Sequence, residues 1–416
     1  MLPETRFSAL PPHVRAAAHS VTGPRGFRAA GVAAGIKGSN RLDLGVLLSD
    51  HPCVSATLLT RNTAAAAPVL ITESECDCSR LRAVVVNSGN ANACSGATGL
   101  RDADRMRQLT ARCLGAPETE VAVCSTGVIG VPLPMPKVER GIEHAAARIA
   151  ADGGERFAAA IRTTDRTAKH SALRLALGDG EVRLGFAAKG AGMISPNLAT
   201  MLCFVTCDAA VAASDWRTMV SDAVVGSFNR ITVDGQESTN DAVIAFANGA
   251  SGVRPDDAGL TALGETLRAA LLALAVAIVA DGEGTTKVVR LAVAGARDSE
   301  EAEAVARAIG NSPLVKAAFY GEDPNWGRVV QAIGQTLARL GDQSPISADV
   351  DYGPVRVFSA GAPVVLGDEA RQLLREVMAQ PEMELNVDLH RGSAGAILYF
   401  SDLTHQYVTF NAEYTT

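Results

Sequence analysis

The chain has 416 residues and a formal net charge of −7; 47% of its residues are hydrophobic, 20% charged and 4% aromatic. That balance supports a sizeable core, excludes global disorder and allows two or three domain-sized units. It also argues against a general nucleic-acid surface, which requires basic charge, while leaving room for a local basic pocket that holds a small anion.

With few aromatics and abundant Ala, Val and Gly, the predicted core is one of small aliphatic side chains in closely packed layers. Eight cysteines are scattered along the chain. Cys76/Cys78 and Cys203/Cys207 have no partner pair at zinc-site spacing, so reduced, mostly buried thiols are expected, as in a cytoplasmic protein. No early apolar run has the flank and length of a secretion signal. No run reaches the roughly 18 apolar residues of a membrane span; the nearest, 269–280, reads as a buried helix.

Residues 1–25 are Pro-rich and predict irregular structure. Residues 81–86 read as a buried strand stopped by the polar turn Asn87-Ser88-Gly89-Asn90-Ala91-Asn92-Ala93. Helical spacing covers 105–114, and 121–124 is a second short strand ending at Ser125-Thr126-Gly127. Helices follow at 138–151 and 154–162. A strand over 181–188 feeds the glycine-rich loop Lys189-Gly190-Ala191-Gly192-Met193-Ile194-Ser195-Pro196-Asn197-Leu198-Ala199-Thr200, and an apolar strand over 201–205 comes next. A helix over 214–228, a short strand over 231–233 and the polar turn 234–241 lead to a long helix over 260–280. The remainder alternates strands at 287–294, 346–351, 355–358, 383–389 and 396–400 with helices at 299–309 and 367–379. Strands and helices mix without strict alternation, which predicts layered α+β architecture.

Thr200 stands where a flexible loop meets a buried strand. A hydroxyl there can attack the preceding carbonyl, and Gly190 and Gly192 supply backbone freedom. Cleavage of the Ala199–Thr200 bond would leave an α-amino group beside the hydroxyl, with a pKa of about 7.7–8.0, suited to a general base at neutral pH. That is the N-terminal threonine route to covalent catalysis. The plain alternative is an ordinary loop-to-strand threonine.

Thr126 and Gly127 follow a buried strand and offer a hydroxyl and a backbone N–H on one small surface, the makings of an oxyanion site, or an ordinary turn. The stretches 87–92 and 234–241 either line a site or form Asx-type turns; structural support is the favoured reading. The segment 322–328 either holds a carboxylate or makes a packed corner around Trp326. In Asp281-Gly282-Glu283-Gly284-Thr285-Thr286-Lys287 the glycine spacing fits neither phosphate-loop fingerprint, and its carboxylates can instead receive an ammonium. The tail Phe410 to Thr416 is expected to fray. The seven histidines form no metal-type pairing.

Together these segments resemble the ornithine acetyltransferase (glutamate N-acetyltransferase) family of arginine biosynthesis. The resemblance runs almost end to end. It includes Gly26-Phe27-Arg28-Ala29-Ala30-Gly31, the 87–93 and 125–130 stretches, Thr163-Thr164-Asp165, 189–202, 234–241, Asp323-Pro324-Asn325-Trp326-Gly327-Arg328 and Asn411-Ala412-Glu413-Tyr414. It implies a layered α/β/β/α sandwich related to self-processing aminopeptidases. It implies self-cleavage before Thr200 into fragments 1–199 and 200–416, with 290–400 a smaller α+β lobe, and two copies of each fragment in an α2β2 particle. Thr200 matches the nucleophile and Thr126 and Gly127 the oxyanion pair. Thr163, Lys189, Thr200, Glu283, Asn411 and Thr416 match substrate contacts, with Thr164 adjacent to Thr163. The implied reaction moves an acetyl group from N2-acetylornithine to glutamate through acetyl-Thr200. It needs no cofactor, metal, nucleic acid or membrane, with acetyl-CoA an additional donor in some members. One departure is Gln236-Glu237, where the family tends to carry Asp-Thr. The rival readings are a self-processing aminopeptidase or amidase, and a non-enzymatic binding paralogue.

Overall fold

The computed structural model describes residues 5–38, 40–178, 180–195 and 201–413. Two sheets face each other. The smaller runs in the order Phe27–Val32, Leu44–Ser49, Ala83–Asn90, Val121–Val128. Its last pair is parallel and the others are antiparallel. The larger runs Val14–Ala17, Lys169–Leu177, Gly180–Lys189, Leu202–Cys207, Ala242–Ala247, Val54–Leu59. There only Leu202–Cys207 and Ala242–Ala247 are parallel partners.

The two-residue period of a strand sorts side chains into layers. Val84 and Val86 meet Phe204, Ile244 and Phe246 between the sheets. Val85 and Val123 turn the other way, onto Met106, Val138 and Ile142 of the helices Gly96–Leu114 and Met135–Ala146. Cys203, Val205, Val243 and Ala245 pack on Trp216, Leu267 and Leu274 of the helices Ala213–Val225 and Asp257–Ala280. The resulting order is helix, sheet, sheet, helix, as expected. The short helix Gly154–Ala160 packs into the inter-sheet layer, where Phe157 meets Phe204 edge-on at 5.2 Å.

A third sheet of seven strands runs Ile231–Thr232, Ala394–Ser401, Val288–Ala296, Glu382–Asp388, Asp349–Tyr352, Val355–Ser359, Ala362–Pro363. It builds its own apolar cluster with the helices Ser299–Gly310, Pro313–Tyr320, Trp326–Arg339 and Asp368–Met378. Here the 322–328 segment is a packed corner. Asn325 caps the helix behind it, accepting from Arg328 N at 3.3 Å, and Trp326 stacks on Phe358 at 5.0 Å.

Several local expectations are corrected. Residues 87–90 continue the strand Ala83–Asn90, because pairing with the neighbouring strand persists to Val128. The Pro-rich start contains the edge strand Val14–Ala17. The strands Phe27–Val32, Leu44–Ser49 and Val54–Leu59 were not foreseen; Leu44–Ser49 is buried at every position, so no alternation betrays it. The apolar helix starts at Asp257, capped by Asp256, and its 24 residues are long and apolar enough to cross a membrane by composition alone. Its apolar face is instead packed on the six-stranded sheet. Finally, the tail is helical over His405–Glu413. All eight cysteines are free and four are buried, fewer than the mostly buried set expected.

Candidate active site

A cleft opens where Ala83–Asn90 and Val121–Val128 end, beside the end of Gly180–Lys189 and the start of Leu202–Cys207. The turns 234–241 and 281–287 and the helix His405–Glu413 close its other sides. Thr126, Gly127, Thr163, Thr164, Lys189, Glu283 and Asn411 all line it. The six matched positions outside residues 199, 200 and 416 are thus brought together from segments far apart in sequence. Thr163 and Thr164 both face the cleft. Ala199, Thr200 and Thr416 lie outside the described residues. Met201, whose nitrogen is bonded to residue 200, lines the cleft.

The turn at Thr126 and Gly127 is held by close packing and hydrogen bonds. Gly127 has φ 133°, and a Cβ there would lie 2.4 Å from the carbonyl carbon of Gly89, so only glycine fits. The Ser125 hydroxyl donates to Asn87 Oδ1 at 2.6 Å, and Asn87 Nδ2 to the Asn90 carbonyl at 2.8 Å. Asn240 Nδ2 donates to the carbonyls of Ala91 at 2.6 Å and Ser125 at 2.9 Å, tying this turn to 234–241. The amide-rich stretches are therefore supports, as favoured, though Asp234, Gln236, Ser238, Thr239, Asn240 and Asp241 also line the cleft.

The Lys189 loop is anchored by carboxylates. Asp165 Oδ1 accepts from Gly190 N at 2.7 Å and from Lys169 Nζ at 2.7 Å. Lys169 Nζ also reaches Asp281 Oδ2 at 2.5 Å, completing a buried Asp–Lys–Asp set. Glu283 N donates to the Ala191 carbonyl at 3.1 Å, and Asn411 Nδ2 donates to Glu283 Oε2 at 2.9 Å. Gly192 lets the loop approach the Glu283 carboxylate closely: a Cβ there would lie 2.6 Å from it, so a larger residue would displace that side chain.

Burial governs the electrostatics. It pushes the Lys189 ammonium below its ordinary range, against the pull of Asp165, Asp241 and Glu283. In the described structure Lys189 Nζ donates to the Thr126 hydroxyl oxygen at 3.0 Å. Burial would raise Asp165 too, but the ammonium groups of Lys169 and Lys189 and the Gly190 N–H hold it below the usual carboxylate range. Burial raises Asp241 well above that range, although Ser238 and Lys189 act against it, and Asp241 Oδ2 has no hydrogen-bond partner. Burial and the nearby Asp234 and Glu283 carboxylates raise the Tyr407 hydroxyl.

Sequence reading missed Tyr407, Lys169 and the separate roles of Asp165 and Asp241. Asp165 carried a signal, as the end of Thr163-Thr164-Asp165. Tyr407 carried none, since it lies between the strand at 396–400 and the tail, in a stretch given no element or role. Gln236, part of the departure from the family pattern, lines the cleft and donates its N–H to Asp234 Oδ1 at 3.2 Å. Among the described residues no group of three or more His, Cys, Asp and Glu side chains is arranged to hold a metal.

The ArgJ family model matches residues 28–416. The bifunctional arginine-biosynthesis protein ArgJ of Symbiobacterium thermophilum is 45% identical over 404 residues, covering 96% of this chain and 99% of that protein. Its counterpart in Nitratidesulfovibrio vulgaris is 44% identical over 392 residues, covering 94% and 98%. Among solved structures, an ornithine acetyltransferase from Mycobacterium tuberculosis complexed with ornithine is 43% identical; the match covers 45% of this chain and all of that one, with a TM-score of 0.41. The chain belongs to the ArgJ family, acyltransferases of arginine biosynthesis.

Proposed function

We propose that Thr200 is the nucleophile of a two-step acetyl transfer and becomes an amino terminus by cleavage of the Ala199–Thr200 bond. The observation that carries this reading is the convergence of Thr126, Gly127, Thr163, Lys189, Glu283 and Asn411 on one cleft that Met201 also lines. In the cleavage, the Thr200 hydroxyl oxygen bonds to the Ala199 carbonyl carbon and the peptide C–N bond breaks, its nitrogen taking a proton. Water then hydrolyses the ester, leaving a carboxylate on Ala199 and a free amine on Thr200.

In turnover, the Thr200 oxygen attacks the acetyl carbonyl of N2-acetylornithine and its α-amino group takes the proton. The oxyanion receives the Thr126 hydroxyl and the Gly127 N–H. Collapse breaks the amide C–N bond, and ornithine leaves with the proton. The amine of glutamate attacks acetyl-Thr200, and N-acetylglutamate is released. Lys189 binds the α-carboxylate of either substrate by a charge-assisted bond. Glu283 pairs with the δ-ammonium that ornithine has and glutamate lacks, while Thr163, Asn411 and Thr416 complete the pocket. No metal or cofactor takes part. Fragments 1–199 and 200–416 stay together, as an α2β2 particle in the cytoplasm. Acetyl-CoA is a second donor of the same acetyl group.

Intact mass under denaturing conditions tests the first claim: two fragments from wild type, one chain from Thr200→Ala, with transfer reduced by a factor on the order of 10^4 or more in the variant. N-acetylornithine offered with and without glutamate tests the second. Acetate released independently of glutamate marks a hydrolase instead, and an uncut protein that binds but does not turn over marks a binding paralogue.

A further inference from the structure

Two consecutive backbone N–H groups in the segment leading to residue 200 meet one carboxylate. Met193 N donates to Asp234 Oδ2 at 2.7 Å and Ile194 N to Asp234 Oδ1 at 2.9 Å. Met193 has φ 56°, a left-handed conformation that non-glycine residues seldom occupy. Such a residue can turn successive N–H groups into a concave anion cradle. Here the anion is a side chain of the same protein.

The opposite side of the segment is held as well. Val233 N donates to the Ile194 carbonyl at 2.6 Å and the Thr232 hydroxyl to the same oxygen at 3.2 Å. Tyr407, 173 residues from Asp234 in sequence, donates its hydroxyl to Asp234 Oδ2 at 3.4 Å. The backbone on both sides of Met193 is thereby over-determined, the condition under which a disfavoured φ persists.

We infer that Asp234 is a positioning residue for self-cleavage, its carboxylate holding the bend at residues 193–194 that sets the approach to the Ala199–Thr200 bond. The inference rests on the reading of Thr200 as a self-made amino terminus. Without the carboxylate, Met193 relaxes toward negative φ and the path of the chain beyond it changes. Asp234 acts through backbone, so its removal slows cleavage without requiring loss of the fold.

The experiment follows conversion of freshly synthesised full-length chain into two fragments by denaturing electrophoresis and intact mass, with thermal melting in parallel. Asp234→Ala is expected to cleave at least tenfold more slowly than wild type. Adding Met193→Gly to that variant is expected to recover at least threefold of the lost rate, because glycine adopts positive φ without steric cost. A general structural role would not give that rescue. Cleavage of Asp234→Ala at the wild-type rate, or slow cleavage with no rescue, overturns the inference and leaves Thr200 as nucleophile. A wild type that stays one chain overturns both. Should Asp234→Ala fail to fold, Asp234→Asn decides by the same rates, since it keeps the shape and one acceptor but turns an amide N–H toward the cradle.

Discussion

The cleft and the seven-stranded sheet with its helices differ in how particular buried polar groups are partnered. On the helices packed against that sheet, Glu301 is 1% exposed but bonds both Arg297 and Arg391, and buried Lys316 is matched by the carbonyl and hydroxyl of Ser401. Around the cleft, Lys189 donates to a neutral hydroxyl and one oxygen of Asp241 bonds nothing. Among the described residues, the buried side-chain polar atoms without a partner belong to Arg162, Ser171, Asp241 and Thr285, none of them in the seven-stranded sheet. Buried polar groups are normally paired, and proteins break that rule mainly at functional sites, offsetting the cost elsewhere. Of those four residues, Asp241 is the one that lines the cleft.

The largest effect that tests this comparison is at Lys169. Lys169→Met leaves Asp165 and Asp281 buried without their shared cation, which costs about 3–5 kcal/mol of stability. It also loosens the Gly190 anchor, so transfer falls even in the folded fraction. Ile333→Ala, in the fully buried core of the seven-stranded sheet, costs about 2–5 kcal/mol. Its kcat per folded molecule is expected to be unchanged. Denaturant melts with active-site titration separate the two; equal loss of specific activity in both would erase the distinction.

Thr126→Val comes next. It removes the hydroxyl but keeps the shape, and loss of one oxyanion donor corresponds to about 2.7–4 kcal/mol, or roughly 10²–10³ in kcat. Steady-state kinetics on cleaved protein would show the drop with little change in KM. An unchanged kcat removes Thr126 from the oxyanion site.

Asp241→Asn should stabilise the protein, with a sign set by its raised pKa. The folded state holds the Asp241 proton more tightly than the unfolded state, whose carboxyl titrates near about 3.9. Wild type therefore loses stability as pH rises from there toward the folded pKa. The asparagine variant does not titrate, so its melting temperature should gain on wild type between about pH 4 and neutrality. A gap that stays constant or narrows contradicts the assignment. The smallest effect is at exposed Asn411. Asn411→Ala removes one hydrogen bond to Glu283, a loss of about 0.5–1.5 kcal/mol. That corresponds to a KM for N-acetylornithine raised up to about tenfold, with kcat nearly unchanged.

Local chemistry was legible in the residues alone. Alternating or continuous apolar runs marked the strands that flank the cleft, glycine spacing marked the Lys189 loop, and the ordered set of motifs marked the family. Every described position matched to a catalytic or substrate-contact role, namely Thr126, Gly127, Thr163, Lys189, Glu283 and Asn411, lies in one cleft. Only the tertiary structure decided which polar residues face one another. Lys169 meets Asp281 across 112 positions, Asn240 reaches the Ala91 carbonyl across 149, and Tyr407 reaches Asp234 across 173. Periodicity reports which face of an element is buried, not which partner awaits it there. The fit of a hydrogen bond or ion pair depends on layers that assemble only when distant segments pack.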